Sequence, residues 1–365
     1  MQVGYVRIEQ TYGRLAVNSM TLSSSAVVIW TWMVVAGILQ GAFALPLSYM
    51  PRWKWENAWL SYSCLAFLVL PLGITLATPS HLMGALQLAP VQTIAAVGLL
   101  GFGWGVGSVF FGLGIRYAGM ALGLSIMTGL INALGALVPM AVLTPRALGE
   151  SRGRLVILAT LVTFAGVAVC GYAGHLRDSS TGGSIPDTGD KKIPLVGALA
   201  ICVTAGVFSA MFNFGYAFSG PISQAARRAG ATPDAALNTV WLLILSCGLL
   251  PNAGYCLHKL ARDRTWRLYC EPRCARYWLM TSVMAAMWLG GTLLYGVAAG
   301  RMGDMGPSLG WAAWNAVMIL VSVACGLLVG EWRAATRRSL QTLGAGTLIL
   351  LVSVALLGWA GARAM

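Results

Sequence analysis

A few amides stand inside otherwise apolar stretches of this chain: Gln40, Asn132, Asn213, Asn238, Asn252 and Asn315. An amide both donates and accepts hydrogen bonds, so it can hold a sugar hydroxyl without carrying charge. Amides also join apolar helices to each other, at about 0.6–2 kcal/mol per contact. Trp104, Trp288, Trp311 and Trp314 lie deep in the same stretches. A rigid aromatic face either stacks on the C–H face of a sugar ring or fills space in a core. The expected substrate-binding set is Gln40, Trp104, Asn213, Asn252, Trp288, Trp311 and Asn315.

Charge is scarce, so each ionisable group near an apolar stretch is a candidate for proton movement or gating. Glu56, Glu150, Asp234, Asp304 and Glu331 all fall at the ends of such stretches, as do Arg116 and Arg301. Long arginine side chains also snorkel to an interface with no further role. The expected coupling and gating set is Glu56, Arg116, Arg301, Asp304 and Glu331. The three histidines, His81, His175 and His258, fall at ends or in loops. No Ser/His/Asp, HExxH or phosphate-loop constellation is present, so neither enzyme chemistry nor a cofactor is expected. Cys270 and Cys274 read as ordinary loop thiols, because a metal site needs more ligands at closer spacing.

The elements that position these residues must be membrane helices. Hydrophobic residues make up 58% of the chain, charged residues 10%, and the mean hydropathy is +0.74. A soluble domain carries about a quarter charged residues. Residues 57–115 contain no Asp, Glu, Lys or Arg. About 20 apolar residues span a bilayer, so this stretch crosses at least twice. Ten spans are expected, near 26–46, 58–78, 93–115, 118–143, 154–174, 194–218, 235–257, 277–300, 306–330 and 339–361. All are expected to be helices, because an open sheet cannot satisfy its backbone in lipid. Trp53, Trp55, Trp59, Trp332 and Trp359 sit near span ends, where an interfacial aromatic belt accounts for them.

The chain divides into four segments: a polar tail over 1–25, five spans over 26–174, a Gly/Ser/Asp-rich linker over 175–193, and five spans over 194–365. Met20 is a candidate start, since Thr21 leads almost directly into the first span. Ala42-Phe43-Ala44 faintly resembles a signal-peptidase site, but the apolar stretch is long for a signal peptide. The polar stretch 220–234 reads as an amphipathic connector.

The two sets of five share a pattern. Trp104 to Leu124 and Trp288 to Leu309 are both glycine-rich runs that open on Trp. Arg116 and Arg301 each precede a Met by four residues, and Gly149-Glu150 and Gly330-Glu331 come after the next apolar run. Duplicated spans mark transporters built from two related halves. Loops after odd-numbered spans hold 15 Lys and Arg; loops after even-numbered spans, with the C-terminal tail, hold 7. Basic loops stay in the cytoplasm, so both termini are expected outside it. The net charge of +13 then reflects topology and lipid contact, with no nucleic-acid partner. Five spans per half also makes the halves inverted relative to each other.

Residues 37–59 (GILQGAFALPLSYMPRWKWENAW), 101–126 (GFGWGVGSVFFGLGIRYAGMALGLSI) and Gly330-Glu331-Trp332 together resemble the L-rhamnose–proton symporter family, part of the ten-helix drug/metabolite transporter superfamily. The resemblance implies an all-α integral membrane protein of ten transmembrane helices in two inverted five-helix repeats. It implies import of a neutral deoxy-sugar with a proton by alternating access, in the inner membrane of a bacterium. The run Gly303-Asp304-Met305-Gly306-Pro307 departs from the family look, so another sugar or a small metabolite remains the alternative substrate. A non-transporting membrane sensor is the alternative of a different class; it leaves an inverted duplication without a use.

Overall fold

Every regular element among the described residues is a helix, and ten are long and apolar enough to cross a membrane. The computed structural model describes residues 26–118, 120–180, 194–271 and 274–362. The spans are α1 (Ala26–Tyr49), α2 (Trp55–Ala77), α3 (Val91–Ile115), α4 (Leu122–Leu143), α5 (Ser151–Ser180), α6 (Val196–Arg228), α7 (Pro233–Asp263), α8 (Ala275–Arg301), α9 (Gly303–Leu328) and α10 (Arg337–Ala362). Each satisfies its own backbone hydrogen bonds, as lipid demands. The N-terminal tail, most of the linker and the side chain of Arg116 lie outside the described residues. Helix α5 runs on through Ser180, so residues 175–180 of the polar stretch are helical. The amphipathic stretch around Pro221 forms a short helix, Gly220–Arg228, that ends α6 and packs on the short helix Leu82–Leu88.

The spans pair in a regular way. Helix α3 packs on α6 and α7, α4 on α5, α6 and α9, α5 on α10, α8 on α2, and α9 on α10. Helix α1 meets α9 where Gly37 and Gly41 face Val317, Met318 and Val321, and meets α8 where Gly291 faces Ala36. Exchanging the two sets of five carries α3–α6 into α8–α1, α4–α6 into α9–α1, and α3–α7 into α8–α2. Contacts at the helix ends show the directions. Asn238, near the start of α7, donates to Thr78 just beyond α2, while Lys259, near the end of α7, meets Glu56 at the start of α2. Ser339 at the start of α10 donates to the Ala173 carbonyl late in α5, and Gly361 at its end lies against Trp30. Helix α2 therefore runs antiparallel to α7, and α5 antiparallel to α10.

The glycines of α3 explain its central place. Gly101 and Gly105 face the Ile244 and Gly248 carbonyls of α7, while Gly103 and Gly107 face Met211 and Ser209 of α6. A Cβ at Gly101 or Gly105 would strike backbone, so these two small residues set how closely α3 and α7 approach. Helix α2 is irregular at its middle. Residues Leu65–Val69 form a π-helical turn just before Pro71, which has no N–H to donate. Such turns bend a helix and re-aim its side chains.

Candidate functional site

The π-helical turn of α2 delivers Phe67 to the centre of the bundle. There its ring lies 5.0 Å from Trp104 of α3 and 4.9 Å from Trp288 of α8. Trp104 and Trp288 stack on each other at 5.7 Å with an interplanar angle of 22°. These are the residues that open the two similar stretches of sequence, and they meet face to face. Phe212 of α6 joins the pair, 4.9 Å from Trp104 and 5.9 Å from Trp288. Through Phe212 the cluster continues to Trp241 of α7 and to Trp311 and Trp314 of α9. Tyr295 of α8 stacks on Trp314 at 4.5 Å. Rings from several spans thus pack into one largely buried aromatic cluster, hereafter called the chamber for its place at the centre of the bundle.

Amides are fixed to its wall. With its amide turned to the orientation that satisfies both groups, Gln40 of α1 accepts from Trp288 Nε1 at 2.7 Å and donates to the Trp288 carbonyl at 3.2 Å. Asn213 of α6 donates to the Gly135 carbonyl of α4 at 2.7 Å and to the Pro307 carbonyl of α9 at 2.8 Å, and its oxygen accepts from the Tyr295 hydroxyl. One amide therefore ties four spans together. The buried indole N–H groups of Trp241 and Trp314 have no hydrogen-bond partner, and neither does the buried amide of Asn132. Buried polar groups without partners are rare and costly, so these three stand out within the bundle.

The other expected binding residues differ in their places. Trp311 belongs to the chamber, with its Nε1 donating to the Ile131 carbonyl. Asn315 donates to the Trp311 carbonyl one turn back in its own helix. Asn252 lies apart, between α7 and α2, where it accepts from Trp59 Nε1 and faces Ser63. Sequence reasoning misses five members of the chamber: Phe67, Phe212, Trp241, Tyr295 and Tyr62, whose ring lies 5.6 Å from Phe67 and 6.4 Å from Trp288. Nothing in their local sequence separates them from ordinary membrane aromatics.

The two ends of the bundle differ. At one end lies an open cavity of about 310 Å³, lined by Thr144, Tyr216, Ser219, Ser223, Asp304 and Pro307 among others. Tyr216 forms a boundary between this vestibule and the chamber. It lines the cavity, stacks on Trp241 at 5.2 Å, and donates to the Gly296 carbonyl. Arg301 is on this side, paired with Asp234 at 2.9 Å and lying over the Trp32 ring at 4.3 Å. All three of Arg301, Asp234 and Asp304 are exposed.

The opposite end is packed shut. Trp53, expected in an interfacial belt, is instead buried between Tyr269, Tyr277 and Trp278, and its Nε1 donates to the Leu268 carbonyl. The turn after α7 folds back over the start of α2, which removes Trp53 from the lipid interface. Asn57 donates to the Thr265 carbonyl, and the Tyr269 hydroxyl donates to the Asn57 carbonyl. Burial holds the Tyr269 hydroxyl above its usual ionisation range. Glu56 is 3% exposed and is the only charged residue that is buried among those described. Its carboxylate meets Lys259 Nζ at 3.4 Å and accepts from Thr265 Oγ1. Glu331 is also on this side, exposed and 3.7 Å from Arg177, well away from Glu56 in the helix order.

Comparison with known proteins gives one consistent result. The family model of the L-rhamnose-proton symport protein (RhaT) matches residues 22–363. An L-rhamnose-proton symporter of Cronobacter sakazakii is 25% identical over 339 residues, covering 90% of this chain and 95% of that protein. One from Citrobacter koseri is 24% identical, and one from Yersinia pestis is 26% identical over 335 residues. Each of these two alignments covers 90% of this chain and 96% of the relative.

Proposed function

The chain belongs to the L-rhamnose-proton symport protein family, and from that membership we propose that it imports L-rhamnose together with a proton. The observation that carries this reading is the buried chamber, where stacked indoles meet fixed amides at the junction of the two halves. L-Rhamnose has an apolar methyl group and C–H faces that suit Trp104, Trp288 and Trp311, and hydroxyls that suit Gln40, Asn213 and Asn315. The unpartnered N–H groups of Trp241 and Trp314 add two donors for sugar oxygens. Asn252 acts further along the α2–α7 seam.

Two inverted five-helix repeats would give this site two-sided access, because exchanging the repeats exchanges the ends. The vestibule then faces the outside of a bacterial inner membrane and the sealed end faces the cytoplasm, as the 15 basic residues of the odd-numbered loops require. Both termini lie on the outer side. Coupling and gating fall to the charged residues at the two ends: Asp304 and Arg301 at the vestibule, Glu56 and Glu331 at the sealed end, with Arg116 between α3 and α4.

Uptake of labelled L-rhamnose by cells expressing the protein tests this reading. Uptake above an empty-vector control, abolished by a protonophore, is the expected result. Uptake equal to the control, or unchanged by the protonophore, rejects it. Trp288→Ala is expected to remove uptake while the protein remains in the membrane, since it takes away both a ring and the partner of Gln40.

A further inference from the structure

Glu56 stands out from the other acids because of its burial and its neighbours. Its oxygens face Lys259 of α7 and the Thr265 hydroxyl of the turn beyond that helix. Lys259 is also 3.8 Å from Asp263, which in turn accepts from Arg262. The Tyr269 hydroxyl is engaged with the neighbouring Asn57 carbonyl. Cys256, one turn before Lys259, is fully buried beneath the pair, against Leu60 and Cys64 of α2. The pair therefore joins the first half of the chain to the second, directly above a buried thiol.

Resting on the transport reading, we propose that Glu56 and Lys259 form the latch of a gate at the sealed end, held by the ionised carboxylate and released when Glu56 takes up a proton. The proton that adds to a Glu56 oxygen comes from the adjoining aqueous phase and returns to it, so it works the gate and is not the proton carried with the sugar. Lys259 keeps its charge and its second partner, Asp263, so release leaves no isolated cation. Loss of the carboxylate charge removes the ionic link between α2 and α7 at this end. The remaining links, from Asn57, Trp53 and Tyr269, are neutral hydrogen bonds and ring contacts. A buried charge pair is costly to keep and more costly to break on one side, which suits a switch better than a brace.

Cys256 provides the readout. In full-length protein in liposomes, the other seven of the eight cysteines are replaced by alanine and the rate of maleimide labelling is measured. Cys256 is expected to label slowly at neutral pH and about tenfold faster in Glu56→Gln, as the open population rises. That ratio is expected to fall towards one on acidification, because protonated Glu56 already resembles Gln. The exchanged pair Glu56→Lys with Lys259→Glu is expected to restore protection. A matching protein that keeps only Cys202, buried in a separate cluster with Met127 and Ala205, is expected to label equally with and without Glu56→Gln. Equal labelling of Cys256 in both proteins at every pH, a ratio that does not change with pH, an unprotected exchanged pair, or parallel exposure of Cys202 would each overturn the latch. The labelling needs no sugar, so a latch that passes while L-rhamnose uptake fails rejects the substrate and leaves the gate standing.

Discussion

The two ends of the α2–α7 seam carry the same kinds of residue in opposite settings. Each helix has an acid at its second position, Glu56 in α2 and Asp234 in α7. Glu56 is buried against Lys259 beneath a folded-back turn, whereas Asp234 is exposed and pairs with Arg301 beside an open vestibule. The difference comes from the segment that leaves the partner helix. After α7 the chain packs Thr265, Leu268 and Tyr269 over the start of α2. At the other end, Thr75 in the last turn of α2 and Thr78 just beyond it make neutral hydrogen bonds with Asn238 of α7. The same two helices thus have one closed end and one open end.

Lys259→Met should break this contrast most strongly. It leaves a buried carboxylate without its cation, a change that typically costs about 3–5 kcal/mol. Denaturant unfolding in detergent should show it, and adding Glu56→Gln should recover most of the loss. A K259M protein as stable as wild type would mean that the Glu56–Lys259 contact does not hold this end together.

Tyr269→Phe comes next. Losing the hydrogen bond to the Asn57 carbonyl should cost about 0.5–1.5 kcal/mol. It also carries a pH signature. Burial in the folded state raises the Tyr269 ionisation above that of a free tyrosine. Its contribution is therefore complete below the unfolded value and is lost as pH rises through the folded one. Wild-type stability should fall above about pH 10, where a free tyrosine ionises, and more steeply than that of Y269F. Parallel alkaline curves would show that Tyr269 does not report on the sealed end.

Effects at the vestibule should be smaller. Asp304→Asn keeps the size of an exposed side chain on the cavity wall. The KM for the transported sugar should shift by about threefold or less, as for one solvent-accessible hydrogen bond. A larger change, or a lost response to protonophore, would place proton coupling at Asp304. Asp234→Asn should be the mildest, within about 1 kcal/mol in stability, because exposed ion pairs contribute little. A larger loss would mean that the Arg301–Trp32 contact depends on this pair.

The helical class, the ten spans and the family likeness were all legible in the chain itself, because a bilayer imposes length and apolarity on each span separately. The paired indoles at Trp104 and Trp288 were legible as a repeat, and Gln40 and Asn213 as amides with few alternatives in an apolar run. Their partners were not. Phe67, Phe212, Trp241 and Tyr295 look like any other membrane aromatics, since lipid-facing and protein-facing positions are both apolar and periodicity does not say which face turns inward. Trp53 was misplaced for the same reason: only the fold-back of residues 265–270 puts it in a core. By itself, then, the sequence determined which segments cross the membrane and which polar groups must be housed there. The tertiary structure decided which rings meet, which acid loses its water and which end stands open, because those depend on contacts between helices roughly two hundred residues apart, such as Glu56 with Lys259.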